Sequence, residues 1–457
     1  MTVGITRHGS IWIIASMVAL CSGRAPFMTV QRSITDFASP KDIKLKRCDT
    51  FDLTAPQRNQ AKLKFDNALR FSYDLWSRTH AGAERLSAGG LQSDGNRKAI
   101  AAYLADLEGA QNITVPVVIH VIWYKDGDRE VGKLGMAAIA DQIKVLNDGF
   151  QNGFTPCDEP NWKPECGNPA MPCASPPPAK THFQFMLQSI DDHENKGWCQ
   201  GMAAPTVGLP DTYVEECQAA IECKVTLRSP GRNVLNIYTV PSETLLGWAT
   251  MPQDHVLKVS GQTRSRVENA MPPGHPKPTD ADIISMLDGI VLNASTFPSI
   301  DQSIACKVDE PDPHPRLDML SRFQMGRTAV HETGHWLGLF HTFYGRCGSY
   351  PGRLSQVPRE KVPYYGTPRH WWQNGAAVLS VCYPKSCGQD SSPRDPIEDF
   401  MDYSDDAVMT RFYGTENPDD PEGQQGSMEA WWKAFRANSK VVGPDLMPLA
   451  GGGNVRK

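Results

Sequence analysis

The chain has 457 residues, 40% hydrophobic and 21% charged, with 51 acidic side chains against 46 basic ones. This is globular composition with ample apolar material for a core, which excludes wholesale disorder. A net charge of -5 offers no basic field for a polyphosphate backbone and argues against nucleic-acid binding. The long apolar stretch, Ile11 to Leu20, is too short for a bilayer core of ~30 Å, so no integral membrane segment is expected.

Arg7 and His8 precede that stretch, and Ala19, Cys21 and Gly23 close it. A basic start, a short apolar run and a small-residue exit read as a secretory signal peptide over residues 1–23, which makes the protein secreted and extracellular. The twelve cysteines agree. None shows the C-x2-C spacing of structural zinc, and in an oxidising compartment such thiols pair as disulfides.

Residues 24–53 are polar and irregular. From Ala55 to Leu107 the pattern is helical, with Phe65, Leu69, Tyr73 and Trp76 on one face and a Gly/Ser break at Ser87 to Gly95. Residues 24–110 therefore form a mostly helical segment ahead of a second unit, residues 111–440, with 441–457 a flexible tail. Val115 to Trp123 opens that unit as a buried strand, ended by the turn Lys125-Asp126-Gly127. A helix follows over Met136 to Phe150. Residues 151–180 make a long Cys/Pro-rich loop, and strands are expected at His182–Leu187, Val234–Val240, Leu245–Met251 and Gly289–Leu292. Residues 252–287 read as a surface excursion. The sum is an α+β layer built on a mixed sheet.

The informative segment is His331-Glu332-Thr-Gly-His335-Trp-Leu-Gly338-Leu-Phe-His341. On a helix, His331 and His335 project from one face and can share a metal ion. Glu332 can reach a water at the metal's open position without being a ligand. Gly338 can adopt the left-handed conformation that stops a helix, so the chain turns and returns His341 to the metal. Three imidazoles with one open position is the catalytic form of a Zn2+ site. H-E-x-x-H alone arises by chance with a probability of roughly 2%, but adding Gly338 and His341 lowers this to roughly 4 in 100,000.

This motif resembles that of the metzincin zinc endopeptidases, and Phe400-Met401-Asp402-Tyr403 resembles their Met-turn. With His341-Thr-Phe and the segments Leu235-Asn-Ile-Tyr238 and Leu246-Gly-Trp-Ala249, the chain is similar to the pappalysin family over roughly residues 112–436. The resemblance implies a zinc helix and twisted sheet above a cleft, an irregular lower subdomain ending in a helix, and protein or peptide substrates docking along the antiparallel edge strand Leu245–Met251. It implies Glu332 as general base and Tyr403 as a stabiliser of the oxyanion. It also implies a pro-segment. Lys46-Arg47-Cys48 resembles the Arg-Cys-Gly motif whose thiolate ligates the zinc of the latent form, with Asp49 replacing the glycine. Family members often hold Ca2+ at an Asp-Thr-Pro sequence. The counterpart Gly366-Thr367-Pro368 lacks the carboxylate, which argues against calcium there.

Two other readings compete: a zinc-binding adhesion or inhibitor module without catalysis, and a zinc hydrolase of a small amide or ester. Loss of catalysis would show at the general base, and Glu332 is intact. Elsewhere, His120 reads as a satisfied core histidine, His370 as loop packing, and Asn112-Ile-Thr and Asn293-Ala-Ser as glycosylation sequons.

Overall fold

The computed structural model describes residues 112–154, 181–202, 216–298 except 243–244, 253 and 255–257, then 323–341, 399–402, 406, 409–412 and 424–437. Short stretches at 3–5, 11–13 and 46–48 and scattered positions between 70 and 102 complete the description. The tail after 437, the Cys/Pro-rich loop beyond 154 and the calcium counterpart at 366–368 lie outside the described residues. So does most of the helical pattern ahead of residue 112, where Arg70, Tyr73 and Ser77 are helical.

Strands β1 (Val3–Ile5) and β2 (Ile11–Ile13) pair antiparallel with each other. β3 (Lys46–Cys48) joins the main sheet. β4 (Ile113–Asp126) is its longest strand, and it turns through Gly127, at φ 62°, into β5 (Arg129–Val131). Val117, Ile119 and Val121 on one face of β4 and Ile122 on the other are all buried. Burial on both faces is why the run is apolar without alternation.

Helix α1 (Met136–Gln151) leads to β6 (Phe183–Glu194), which lies parallel to β4. β6 runs seven residues beyond the expected Leu187. Its second half, Gln188 to Glu194, is mostly polar, and among the described residues no strand pairs with its outer side, where its side chains are part-buried or exposed. Helices α2 (Lys196–Met202) and α3 (Gln218–Leu227) follow, then β7 (Leu235–Val240) and β8 (Leu245–Ala249). Residues 252–287 are more than an excursion. They fold into α4 (Gly261–Ala270), capped by Ser260, and α5 (Asp280–Met286), started by a Thr279/Asp282 capping box. Val267, Ile283 and Ile284 pack there against Met251 and Ile221 in a core cluster of their own. β9 (Ile290–Asn293), α6 (Arg327–Trp336) and α7 (Gln424–Trp431), which continues into a π turn over Trp432–Arg436, complete the order.

The sheet runs β3-β8-β9-β7-β4-β5, with β6 also on β4. Only the β8–β9 and β4–β5 pairs are antiparallel. α1 and α6 cover one face, sharing a core with Val117, Ile119, Ile237 and Leu292, while α2 and α3 cover the other through Cys199, Cys223, Tyr238 and Trp248. β8 is antiparallel to β9 as expected, yet in the full chain it is not an edge. β3 lies along its outer side in parallel, with Lys46 opposite Leu245 and Cys48 opposite Gly247.

Candidate metal centre

Helix α6 is buried along its entire length. Its entry is fixed from two sides. Gly326 stands at φ 76° with its carbonyl accepting from Gln142 Nε2 at 3.0 Å, and a Cβ there would meet the Gln142 amide at 2.9 Å. Across from α1, Asp406 Oδ2 accepts from the backbone N–H groups of Met325 at 3.0 Å and Arg327 at 3.2 Å. A carboxylate at a helix N-terminus satisfies orphan donors and complements the dipole.

His331 and His335, one turn apart, bring their Nε2 atoms to 3.1 Å, and His341 Nε2 lies 3.0 Å from His335 Nε2. All three are buried. His331 Nδ1 faces the Phe400 carbonyl at 2.6 Å and His335 Nδ1 faces the Leu339 carbonyl at 2.7 Å. Each of these rings therefore carries its proton on Nδ1 and turns an Nε2 lone pair inward. Burial and then the His341 imidazole hold His335 well below the usual histidine pKa, partly offset by the Leu339 carbonyl, so it is neutral. Nitrogen lone pairs facing one another at this range repel unless a cation stands between them. Ligands 2.0–2.1 Å from a tetrahedral zinc lie about 3.3 Å apart, close to the spacing found, and three imidazoles suit that metal. Among the described residues, this is the one His/Cys/Asp/Glu cluster that could hold a metal.

The turn that returns His341 is a Schellman motif. Gly338 sits at φ 98°, Leu339 N–H donates to the Gly334 carbonyl at 2.9 Å, and Gly338 N–H donates to the His335 carbonyl at 2.8 Å. Met401 lies beneath the helix, so close that a Cβ on Gly334 would come 2.5 Å from its sulfur. Glu332 is buried and lies against β8, where Gly247 leaves room for its side chain.

The fold thus gathers His331, Glu332, His335, His341 and Met401. Tyr403 lies outside the described residues. Cys48 is brought to β8 by its backbone, opposite Gly247, while its side chain lies outside the described residues. The sequence reading gave Gln142, Asp406 and Gly247 no individual role. Only Gly247 had a local signal, a glycine inside a strand, which marks close backbone approach.

A buried helix with three converging imidazoles and a carboxylate beside the first defines the site of a metal-dependent hydrolase. No family model matches the sequence. The extracellular metalloprotease of Pyricularia oryzae is 30% identical over 331 residues, 71% of this chain and 77% of that protein. The extracellular metalloprotease of Colletotrichum graminicola is 27% identical over 342 residues, 73% of this chain and 83% of that protein. The chain belongs to this family of extracellular metalloproteases. Mature mirolysin of Tannerella forsythia, solved with a cleaved peptide, aligns over 71% of this chain and 91% of its own at 18% identity, with a TM-score of 0.38. Among the described residues, no helix is long and apolar enough to cross a membrane.

Proposed function

We propose that the protein is a secreted endopeptidase in which His331, His335 and His341 hold one zinc ion and Glu332 is the general base. The observation that carries this is the convergence of three Nε2 atoms within 3.0–3.1 Å steps, with Nδ1 of two rings fixed on carbonyls and Glu332 on the same helix. Zinc bound there supplies a Lewis acid at the scissile carbonyl and lowers the pKa of water at the open position. Glu332 takes the proton of the attacking water and delivers it to the leaving amine. Tyr403, two residues after Met401, stabilises the oxyanion in this reading. Substrate is polypeptide, added as an extended strand to the outer side of β8.

Residues 24–110 act as a pro-segment. The pairing of Lys46–Cys48 with β8 supports this, because it occupies the hydrogen-bonding groups a substrate strand would need. The Cys48 thiolate is then the latent form's added zinc ligand. Calcium has no assigned place.

A casein digest by the processed enzyme tests the reading. Activity is expected to vanish with a zinc chelator, return with added zinc, and fall by several orders of magnitude in Glu332→Gln while zinc is retained. A Glu332→Gln enzyme digesting at the wild-type rate would sink the general-base role. Chelator-resistant digestion would sink the metal.

A further inference from the structure

The turn that ends α6 leaves one carbonyl over. Leu337, Gly338 and Leu339 N–H groups satisfy the carbonyls of Thr333, Gly334 and His335. The next carbonyl, that of Trp336, is among the last four of the helix and has no intrahelical donor. Arg436, a hundred residues on, donates Nε–H to it at 2.8 Å. Its guanidinium lies over the Trp336 ring, 3.8 Å from the centroid. Nη1 and Nη2 donate to Asp288 Oδ2 at 2.8 Å and Oδ1 at 3.2 Å, and both side chains are 1% exposed. Nη1 also donates to the Arg232 carbonyl at 3.2 Å. Five residues before Arg436, the Trp431 ring closes on Gly338, so that a Cβ there would stand 2.5 Å from Cγ and Cδ1. One C-terminal segment therefore grips the turn at Trp336 and again at Gly338.

We propose that Arg436, anchored by Asp288, is a positioning residue for the third metal ligand. By fixing the Trp336 carbonyl it sets the path of residues 337–341 and so the approach of His341 Nε2 to 3.0 Å from His335 Nε2. The inference rests on the assignment of zinc to the three histidines. Arginine suits the task because its planar fork reaches Trp336, Asp288 and Arg232 at once. A lysine keeps the charge but offers no rigid fork. Partners that orient metal ligands from outside the coordination shell typically change metal affinity 10- to 100-fold when removed.

Zinc affinity of the full chain, measured by competition with a chromogenic chelator, tests this in the wild type, Arg436→Lys, Arg436→Met and Lys224→Met. Lys224 is the control. It is an equally buried cation held by Glu216, the Leu287 carbonyl and the Trp248 ring rather than by the Trp336 carbonyl. Both Arg436 variants are expected to bind zinc about 10- to 100-fold more weakly, with no rescue by lysine, while Lys224→Met keeps the wild-type affinity. Wild-type affinity in Arg436→Lys, or an equal loss in Lys224→Met, would overturn the proposal. Should neither Arg436 variant fold, Asp288→Asn decides, weakened zinc supporting the role and unchanged zinc overturning it. A wild-type chain that binds no zinc is a different result, since it removes the metal assignment and this inference with it.

Discussion

A Cβ on Gly247 would stand 2.8 Å from Cγ and 3.0 Å from Oε1 of Glu332, with the Val291 carbonyl 3.1 Å away on the neighbouring strand. The backbone of β8 and the carboxylate beside the metal centre thus share a contact that only glycine permits. Alanine is ordinarily the better strand residue. Here Gly247→Ala should leave zinc content unchanged but displace Glu332, lowering kcat on the order of 100-fold, the usual scale for a misplacement of about 1 Å. Steady-state kinetics with metal analysis checks it, and a kcat equal to wild type would refute the contact's importance.

Asp406 should matter through the helix and not through the chemistry. Its Oδ2 serves two N–H groups at the start of α6. Asp406→Ala is expected to destabilise the protein by about 1–2 kcal/mol, as loss of a charged cap does, and Asp406→Asn by less. Urea denaturation midpoints at constant slope measure it.

Latency should depend on Cys48. The unprocessed wild type is expected to be inactive, and unprocessed Cys48→Ala to cleave itself between about residues 80 and 112, if a thiolate is the blocking ligand. Sequencing the new N-terminus after timed incubation reads the outcome. A variant as latent as wild type would leave strand pairing on β8 as the sole block.

Asp254 should make stability fall with rising pH. Burial is the main cause that lifts its pKa from 3.8 to about 7, and Asp288 adds to it. The Met251 N–H at 2.7 Å, Arg436 and Lys224 pull the other way. Because the folded pKa exceeds the unfolded one, the contribution is fully present below pH ~4 and is lost as pH rises to 7. Asp254→Asn keeps an acceptor for Met251 without the buried charge. Its melting temperature should therefore gain on wild type between pH 5 and pH 8, and parallel curves would contradict this.

The metal centre was legible because its geometry is local. Two histidines four apart share a helix face, and a glycine three residues later ends the helix. Its supports were not. Gln142 reaches Gly326 across 184 residues and Arg436 reaches Trp336 across 100, and such pairs leave no periodicity in the sequence. The second half of β6 was hidden by its polar composition. α2 was hidden by its two glycines. Gly201 is there because α2 and α3 cross closely, so that a Cβ would meet that of Ala219 at 2.7 Å. His120, read as core, is buried with Nε2 3.1 Å from Asn236 Oδ1 and its ring stacked on Tyr238. Of the two sequons, Asn112 is exposed, whereas Asn293 is buried and donates to the Ser242 and Leu245 carbonyls.

The three Nε2 atoms converge only when the chain is folded, so with zinc as their metal each free ion selects the native state over the unfolded one. The gain grows logarithmically with free zinc, reaching about 4.1 kcal/mol at a thousand times the dissociation constant. The lifetime of the enzyme is then set partly by the trace-metal chemistry of its surroundings. In a medium stripped of zinc, copies that lose the ion should unfold more often and become substrates for those that keep it, so the number of intact molecules should track the available metal.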